Sequence, residues 1–113
     1  MKIKLWSTEL QLENAVVSWI KWHKFGVWKT KTKGERHTKN GKEFFKTSQN
    51  KGFQDLTCCV KGFFVAIEVK LPGKKQTQNQ IDHQKEVEKT GGIYLITHSI
   101  EEIEKQFKER NFI

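Results

Sequence analysis

Two apolar runs, FQDLTCCV and FFVAIEVK, stand between residues 53 and 70 with only Lys61 and Gly62 separating them. A two-residue connection ending in glycine suits a tight antiparallel hairpin, and that pair sets the centre of a sheet. The other elements are placed by shorter-range signals. Upstream, Leu12, Val16, Trp19, Ile20 and His23 recur at helical spacing behind Ser7 and Thr8, and Thr8 with Gln11 makes a capping-box pattern. The spacing predicts a helix over about residues 8–24, ended by Gly26. GVWKTKT alternates apolar or threonine with lysine and reads as a strand with one solvent-facing side, while residues 33 to about 51 read as loop.

Downstream, Pro72 and Gly73 close the second apolar strand, and Thr77 with Gln80 gives another capping box before a polar helix reaching about Lys89. Gly91 and Gly92 stop it. IYLIT is a short buried strand, and Ser99 with Glu102 opens a last helix whose Ile100, Ile103 and Phe107 share a face. The predicted order is αβββαβα. A helix joining the third and fourth strands suits a parallel crossover, so the expected architecture is α/β, a mixed central sheet flanked by helices. A chain of 113 residues accommodates one such domain and one core.

Charge narrows the partner. The formal net charge is +8, and Lys29, Lys31, Lys33, Arg36, Lys39, Lys42, Lys46 and Lys51 face only Glu35 and Glu43 within residues 29–51. Such a stretch suits the phosphates of a nucleic acid, the bland alternative being a solvated basic loop. Cys58 and Cys59 are adjacent, so alternation sends them to opposite faces of a strand; both read as buried free thiols in a reducing compartment. The N-terminal MKIKLWSTELQ lacks the apolar run of a signal peptide and no stretch reaches a transmembrane length, which predicts a cytoplasmic protein with no membrane partner.

The chemistry is concentrated where polar residues interrupt the apolar hairpin. Glu68 and Lys70 are two apart and share a face of their strand, and the turn at Lys61–Gly62 brings Asp55 to the same end. Two carboxylates suit a hard divalent cation, Mg²⁺ or Mn²⁺, with the Val69 carbonyl between them as a further candidate ligand. Such an ion supplies an electrophile for phosphodiester hydrolysis, and Lys70 would stabilise attacking hydroxide and phosphate oxygens. The plain alternative is a Glu68–Lys70 ion pair at a strand end. Glu9 and Glu13, four apart on the first helix, offer a third acid, although an acid in a first turn also favours the helix dipole. Gln80 is a candidate for binding phosphate or positioning the lysine, or a solvated helix residue. His23, His37, His83 and His98 are scattered without ligand spacing and read as isolated surface or capping residues. No nucleophilic triad and no phosphate-binding glycine loop is present.

Together, GFQDL, IEVK followed by LPG, Gln80 and the closing GGIYLITHSIEE resemble the VRR-NUC family, virus-type replication and repair nucleases of the PD-(D/E)XK superfamily, over roughly residues 9–103. The resemblance implies a restriction-endonuclease-like core, Asp55 and Glu68 as metal ligands, Lys70 as the catalytic lysine and Gln80 at the edge of the site. For the helix acid, counting back from Gly26 as in related junction-resolving nucleases gives Glu13, whereas the ExxL pattern gives Glu9; we take Glu13. Gln54 stands where the family has proline, a change that alters the local turn and removes no ligand. Small stand-alone members look like phage proteins, active in the host cytoplasm, that work as homodimers on branched DNA such as Holliday junctions. Trp19, Trp22, Phe112 and Ile113 are candidates for a dimer patch, most of the tryptophans otherwise being core. The competing functions are a basic DNA-binding or inhibitor protein without turnover, a restriction-like nuclease that reads sequence, and a plain structural module.

Overall fold

Each helix begins and ends on a recognisable local device. The computed structural model describes residues 6–30, 35–39, 42–46 and 52–113, with 35–39 and 42–46 described as backbone strands. The Thr8 hydroxyl accepts from the Gln11 amide (3.1 Å) and opens α1 (Glu9–Trp22), while Gln11 Oε1 accepts from the Ser7 amide. Thr77 and Gln80 exchange both bonds of a full capping box at the start of α2 (Gln78–Lys89), and Ser99 caps α3 (Ile100–Glu109). At the other end of α1 the Phe25 amide reaches Ile20 O (3.3 Å) and the Lys24 amide reaches Lys21 O (2.9 Å), with Lys24 in the left-handed region. This is a Schellman termination. The first helix therefore stops at Trp22 by means of Lys24, not at Gly26, which belongs to the next strand. Helix α3 ends the same way through Asn111 (φ 60°), and the hydrophobic contact that accompanies the motif is Phe107 on Phe112, ring centroids 5.3 Å apart.

The strands are β1 (Gly26–Lys29), β2 (Glu35–Lys39), β3 (Lys42–Lys46), β4 (Leu56–Val60), β5 (Phe63–Val69) and β6 (Ile93–Thr97). Four of them form a mixed sheet in the order β1-β4-β5-β6, antiparallel except for the parallel β5–β6 pair. Lys61 and Gly62, both at positive φ (51° and 85°), make the tight turn between β4 and β5. Helix α2 is the crossover to β6. Without β2 and β3 the order is αβββαβα, as the residue patterns predict. The expectation of a loop over residues 33–51 is corrected: β2 and β3 pair antiparallel as a two-stranded sheet of their own.

Alternation along β5 separates the two faces. Val65, Ile67 and Val69 join Leu12, Val16 and Ile20 of α1, Ile103 and Phe107 of α3, and Leu56, Cys58 and Val60 of β4 in the larger core. Ala66 packs with Val87 of α2 and Tyr94 of β6 in a smaller cluster on the opposite face. The fold is thus α/β, with α1 and α3 on one side of the sheet and α2 on the other. Among the described residues, no helix is long and apolar enough to cross a membrane. Of the residues considered for a dimer patch, Trp19 packs on the core and Phe112 is buried, while Trp22 (77% exposed) and Ile113 lie on the surface.

The adjacent cysteines do face opposite ways, but only Cys58 is buried; Cys59 is exposed, against the expectation that both are inside. Native protein should therefore show one rapidly titrating thiol, and a second only after unfolding. Burial first, then the neighbouring Cys59, pushes the Cys58 thiol from its ordinary 9.0 up to about 12. Above pH 9 the unfolded chain releases a proton that the native state keeps, so stability present below that pH is lost as the pH climbs toward about 12. The urea midpoint should fall across this window, and Cys58→Val should flatten the fall; an unchanged slope in the variant would show that another group causes it.

Candidate metal centre and its surroundings

The β4–β5 register pairs Leu56 with Ile67, which sets Asp55, one residue before β4, against the site end of β5. Its Oδ2 accepts from the Val69 amide at 2.8 Å, and its own carbonyl accepts from the Thr30 amide at 3.0 Å. Asp55 is thereby fixed from both sides. Glu68 is fully buried on the face that carries Ala66, and its Oε1 accepts from the Tyr94 hydroxyl at 2.5 Å and from Gln76 Nε2 at 3.4 Å. Burial first, then the hydrogen bond and charge of Glu68 and the charge of Asp55, hold the Tyr94 phenol far above its ordinary range, so it remains a donor. Lys70 is buried too, two residues on from Glu68, with its amide continuing the ladder to Thr97 O at 3.0 Å.

Glu68 Oε2 has no hydrogen-bond partner, alone in this among the buried side-chain nitrogens and oxygens of the described residues. The large majority of buried side-chain oxygens are hydrogen-bonded, because an unpaired one forfeits its hydration. A carboxylate oxygen left in this state beside a second, pre-oriented carboxylate fits a hard cation taking oxygen ligands. The two carboxylates, with the Val69 carbonyl as a further candidate ligand, are oxygen donors of the kind that fits Mg²⁺ or Mn²⁺.

The other predicted site residues fall elsewhere. Glu13 pairs with Lys29 at 3.5 Å, and Lys29 also donates to Asn14 Oδ1 at 2.6 Å. Among the described residues no three His, Cys, Asp or Glu side chains converge on one point, so Glu13 does not complete a three-acid cluster with Asp55 and Glu68. Glu9, its alternative, is exposed. Gln80 is buried rather than solvated, and its Oε1 is committed to the Thr77 amide at 2.8 Å. Of the expected phosphate-binding residues, Lys31, Lys33 and Lys51 lie outside the described residues. Arg36 and Lys39 are positions on β2, and Lys42 and Lys46 on β3, with Lys39 opposite Lys42.

Sequence reasoning missed the groups that hold the centre. Tyr94 had a usable signal, since a tyrosine in a buried strand needs a partner for its hydroxyl. Gln76 bridges Glu68 and Gln84, donating to Gln84 Oε1 at 2.9 Å, and nothing in its spacing announces this. His83 is not isolated: its Nε2 bonds Gln54 Oε1 at 2.5 Å and its ring stacks on Phe53 at 4.3 Å. Gln54 in turn donates to the Thr57 hydroxyl at 2.9 Å, which lies 2.6 Å from that of Thr30. Gln54 thus ties the approach to Asp55 to α2 and, through Thr57, to Thr30 at the end of β1. Comparison with known families finds no family model that matches the chain, and comparison with curated proteins finds no matching relative.

Proposed function

We propose that this protein is a divalent-metal-dependent DNA endonuclease of the VRR-NUC type, with a restriction-endonuclease-like core. The observation that carries the reading is the buried, unpartnered Oε2 of Glu68 beside Asp55, with Lys70 two residues on. The αβββαβα order of the main sheet and its helices supports it, as does the +8 charge, which suits a polyphosphate substrate.

A Mg²⁺ or Mn²⁺ ion bound by Asp55 and Glu68 would supply Lewis-acid stabilisation of charge on the phosphate and raise the acidity of water. The chain's own residues do the rest. The Val69 amide and the Tyr94 hydroxyl fix the two carboxylates before substrate arrives, so no reorganisation is needed as charge develops. Lys70 brings a buried cation to the same face, where it stabilises anionic oxygens of the attacked phosphate. The basic residues between 29 and 51 hold the DNA arms, and Lys74 and Lys75, on the exposed loop that leaves β5, are further exposed cations for phosphate. We take the substrate to be branched DNA cut by a homodimer, for which Trp22 and Ile113 supply exposed apolar surface.

The test is cleavage of labelled four-way junction, flap, duplex and single-stranded DNA with Mg²⁺ or Mn²⁺. Asp55→Ala should reduce cutting by about 10³-fold and Lys70→Ala by about 10²–10³-fold, the scale of losing one electrostatic stabiliser. Tight, salt-sensitive DNA binding with no cutting by the unaltered protein would overturn the reading in favour of a binding protein.

A further inference from the structure

A cavity of about 460 Å³ opens beside this centre, lined by Phe53, Phe64, His83, Val87 and Gly92, with Glu86 among its walls. We propose that it stacks one unpaired base of single-stranded DNA, held within about two nucleotides of the phosphate under attack. The proposal rests on the nuclease reading for its orientation and not for the binding itself.

Three observations carry it. The first is size and lining: the volume lies in the range of small-ligand sites, and the Phe64 ring, together with the stacked pair of Phe53 and His83, lines it with aromatic surface for a flat guest. Phe64 lines the cavity and is 47% exposed, which leaves its ring accessible to such a guest. The second is how the cavity is kept open. A Cβ on Gly92 would lie 2.8 Å from Val87 Cγ1 and 3.1 Å from Phe64 Cδ1, so glycine lets the chain turn closely beneath that ring.

The third is continuity with the carboxylates. Phe53 is two residues before Asp55 and stacks on His83, whose ring lies 6.2 Å from that of Tyr94, the donor to Glu68. Phe64 and Glu68 share a face of β5 about 13 Å apart at the rise of an extended strand, a span that a strand of DNA crosses in about two nucleotides. A base stacked in a duplex presents no free face, so the cavity selects strands with an unpaired base, at a flap, a branch point or an end. The chain as a whole carries a charge of +8, which favours a polyanionic partner, while the charged residue in the cavity wall, Glu86, is acidic.

The experiment is binding of short fluorescent single-stranded DNA in chelator, where neither metal nor cleavage enters, with 2-aminopurine placed at successive positions. Stacking should quench the probe at one position. Phe64→Ala should weaken single-strand binding about tenfold, the scale of one lost base–aromatic stack, and remove the quench while duplex binding holds. Phe64→Trp should keep both. Phe63→Ala serves as control, because Phe63 lies against Phe112 on the other face. Unchanged single-strand affinity in a Phe64→Ala protein with native circular dichroism, or no quench at any position, would overturn the proposal and leave the nuclease reading standing. Binding and quenching without metal-dependent cutting would do the reverse.

Discussion

Glu68→Gln is expected to abolish cleavage and at the same time to stabilise the metal-free protein. The two effects share one cause. In chelator, Glu68 holds a carboxylate away from water with Oε2 unpartnered, an arrangement that costs stability unless a cation completes it. Glutamine keeps the shape and an oxygen for the Tyr94 hydroxyl; its amide nitrogen takes the unpartnered place of Oε2, where a neutral group costs less to keep from water than a charged one. A gain of about 1–2 kcal/mol follows, read as a melting temperature higher by several degrees in chelator. For the unaltered protein, Mg²⁺ or Mn²⁺ at tenfold over its Kd should add about 1.4 kcal/mol by mass action. The variant should gain nothing from metal and should cut at least about 10³-fold more slowly, since several kcal/mol of charge stabilisation go with the ion. A Glu68→Gln protein that melts lower than the original in chelator, and is still stabilised by metal, would make Glu68 a structural residue. The trade of stability against a functional site is a familiar one, and here it is localised to one oxygen.

The devices legible in the sequence are those whose partners are close along the chain. Thr77 and Gln80 are three apart, Lys61 and Gly62 adjacent, and Glu68 and Lys70 two apart; in each case the local spacing already determines the geometry. The β2–β3 hairpin had such a signal as well, Asn40–Gly41 between two runs of five residues. The density of lysine hid it, because basic residues fill positions where apolar alternation marks a strand. Lys24 in the left-handed region was invisible for the opposite reason: glycine and asparagine are the usual residues there, and Gly26 nearby drew the helix end to itself.

What escaped is what depends on long-range register. Tyr94 meets Glu68 only because β5 and β6 pair in parallel with Glu68 opposite Ile96, across 26 residues of chain. Gln54 meets His83 across 29 residues, where α2 folds back over the sheet. The spacing of Glu9 and Glu13 says that they share a side of α1, but not what lies beside that side; the neighbour of Glu13 is Lys29. Local spacing therefore brings Asp55 and Glu68 to one end of the hairpin, and tertiary packing supplies the groups that hydrogen-bond them.

That dependence on packing makes Gly52 the most consequential residue outside the centre itself. Gly52 and Gly62 have nearly the same positive φ, 82° and 85°, so alanine meets a conformational penalty at both, about 1–2 kcal/mol. Their surroundings differ completely. At Gly62 an added Cβ finds nothing within 4 Å, whereas at Gly52 it would lie 2.4 Å from the carbonyl carbon and oxygen of Asn79, backbone atoms in the first turn of α2. Helix α2 is held there by the Thr77–Gln80 capping box, so the clash cannot be relieved by one side chain moving aside. Gly62→Ala should cost about 1–2 kcal/mol and leave cleavage intact. Gly52→Ala should cost about 3 kcal/mol or more, a large share of the 5–15 kcal/mol that holds a typical domain together. It should also slow cleavage, because the segment pushed off α2 carries Phe53, Gln54 and Asp55, and with them the contacts to His83 and to the Val69 amide. Urea unfolding of the two variants side by side isolates the steric contribution from the conformational one. Equal losses would mean that the close approach of Gly52 to α2 is not kept in solution, and the pre-orientation of Asp55 would then have to come from the β4–β5 pairing alone.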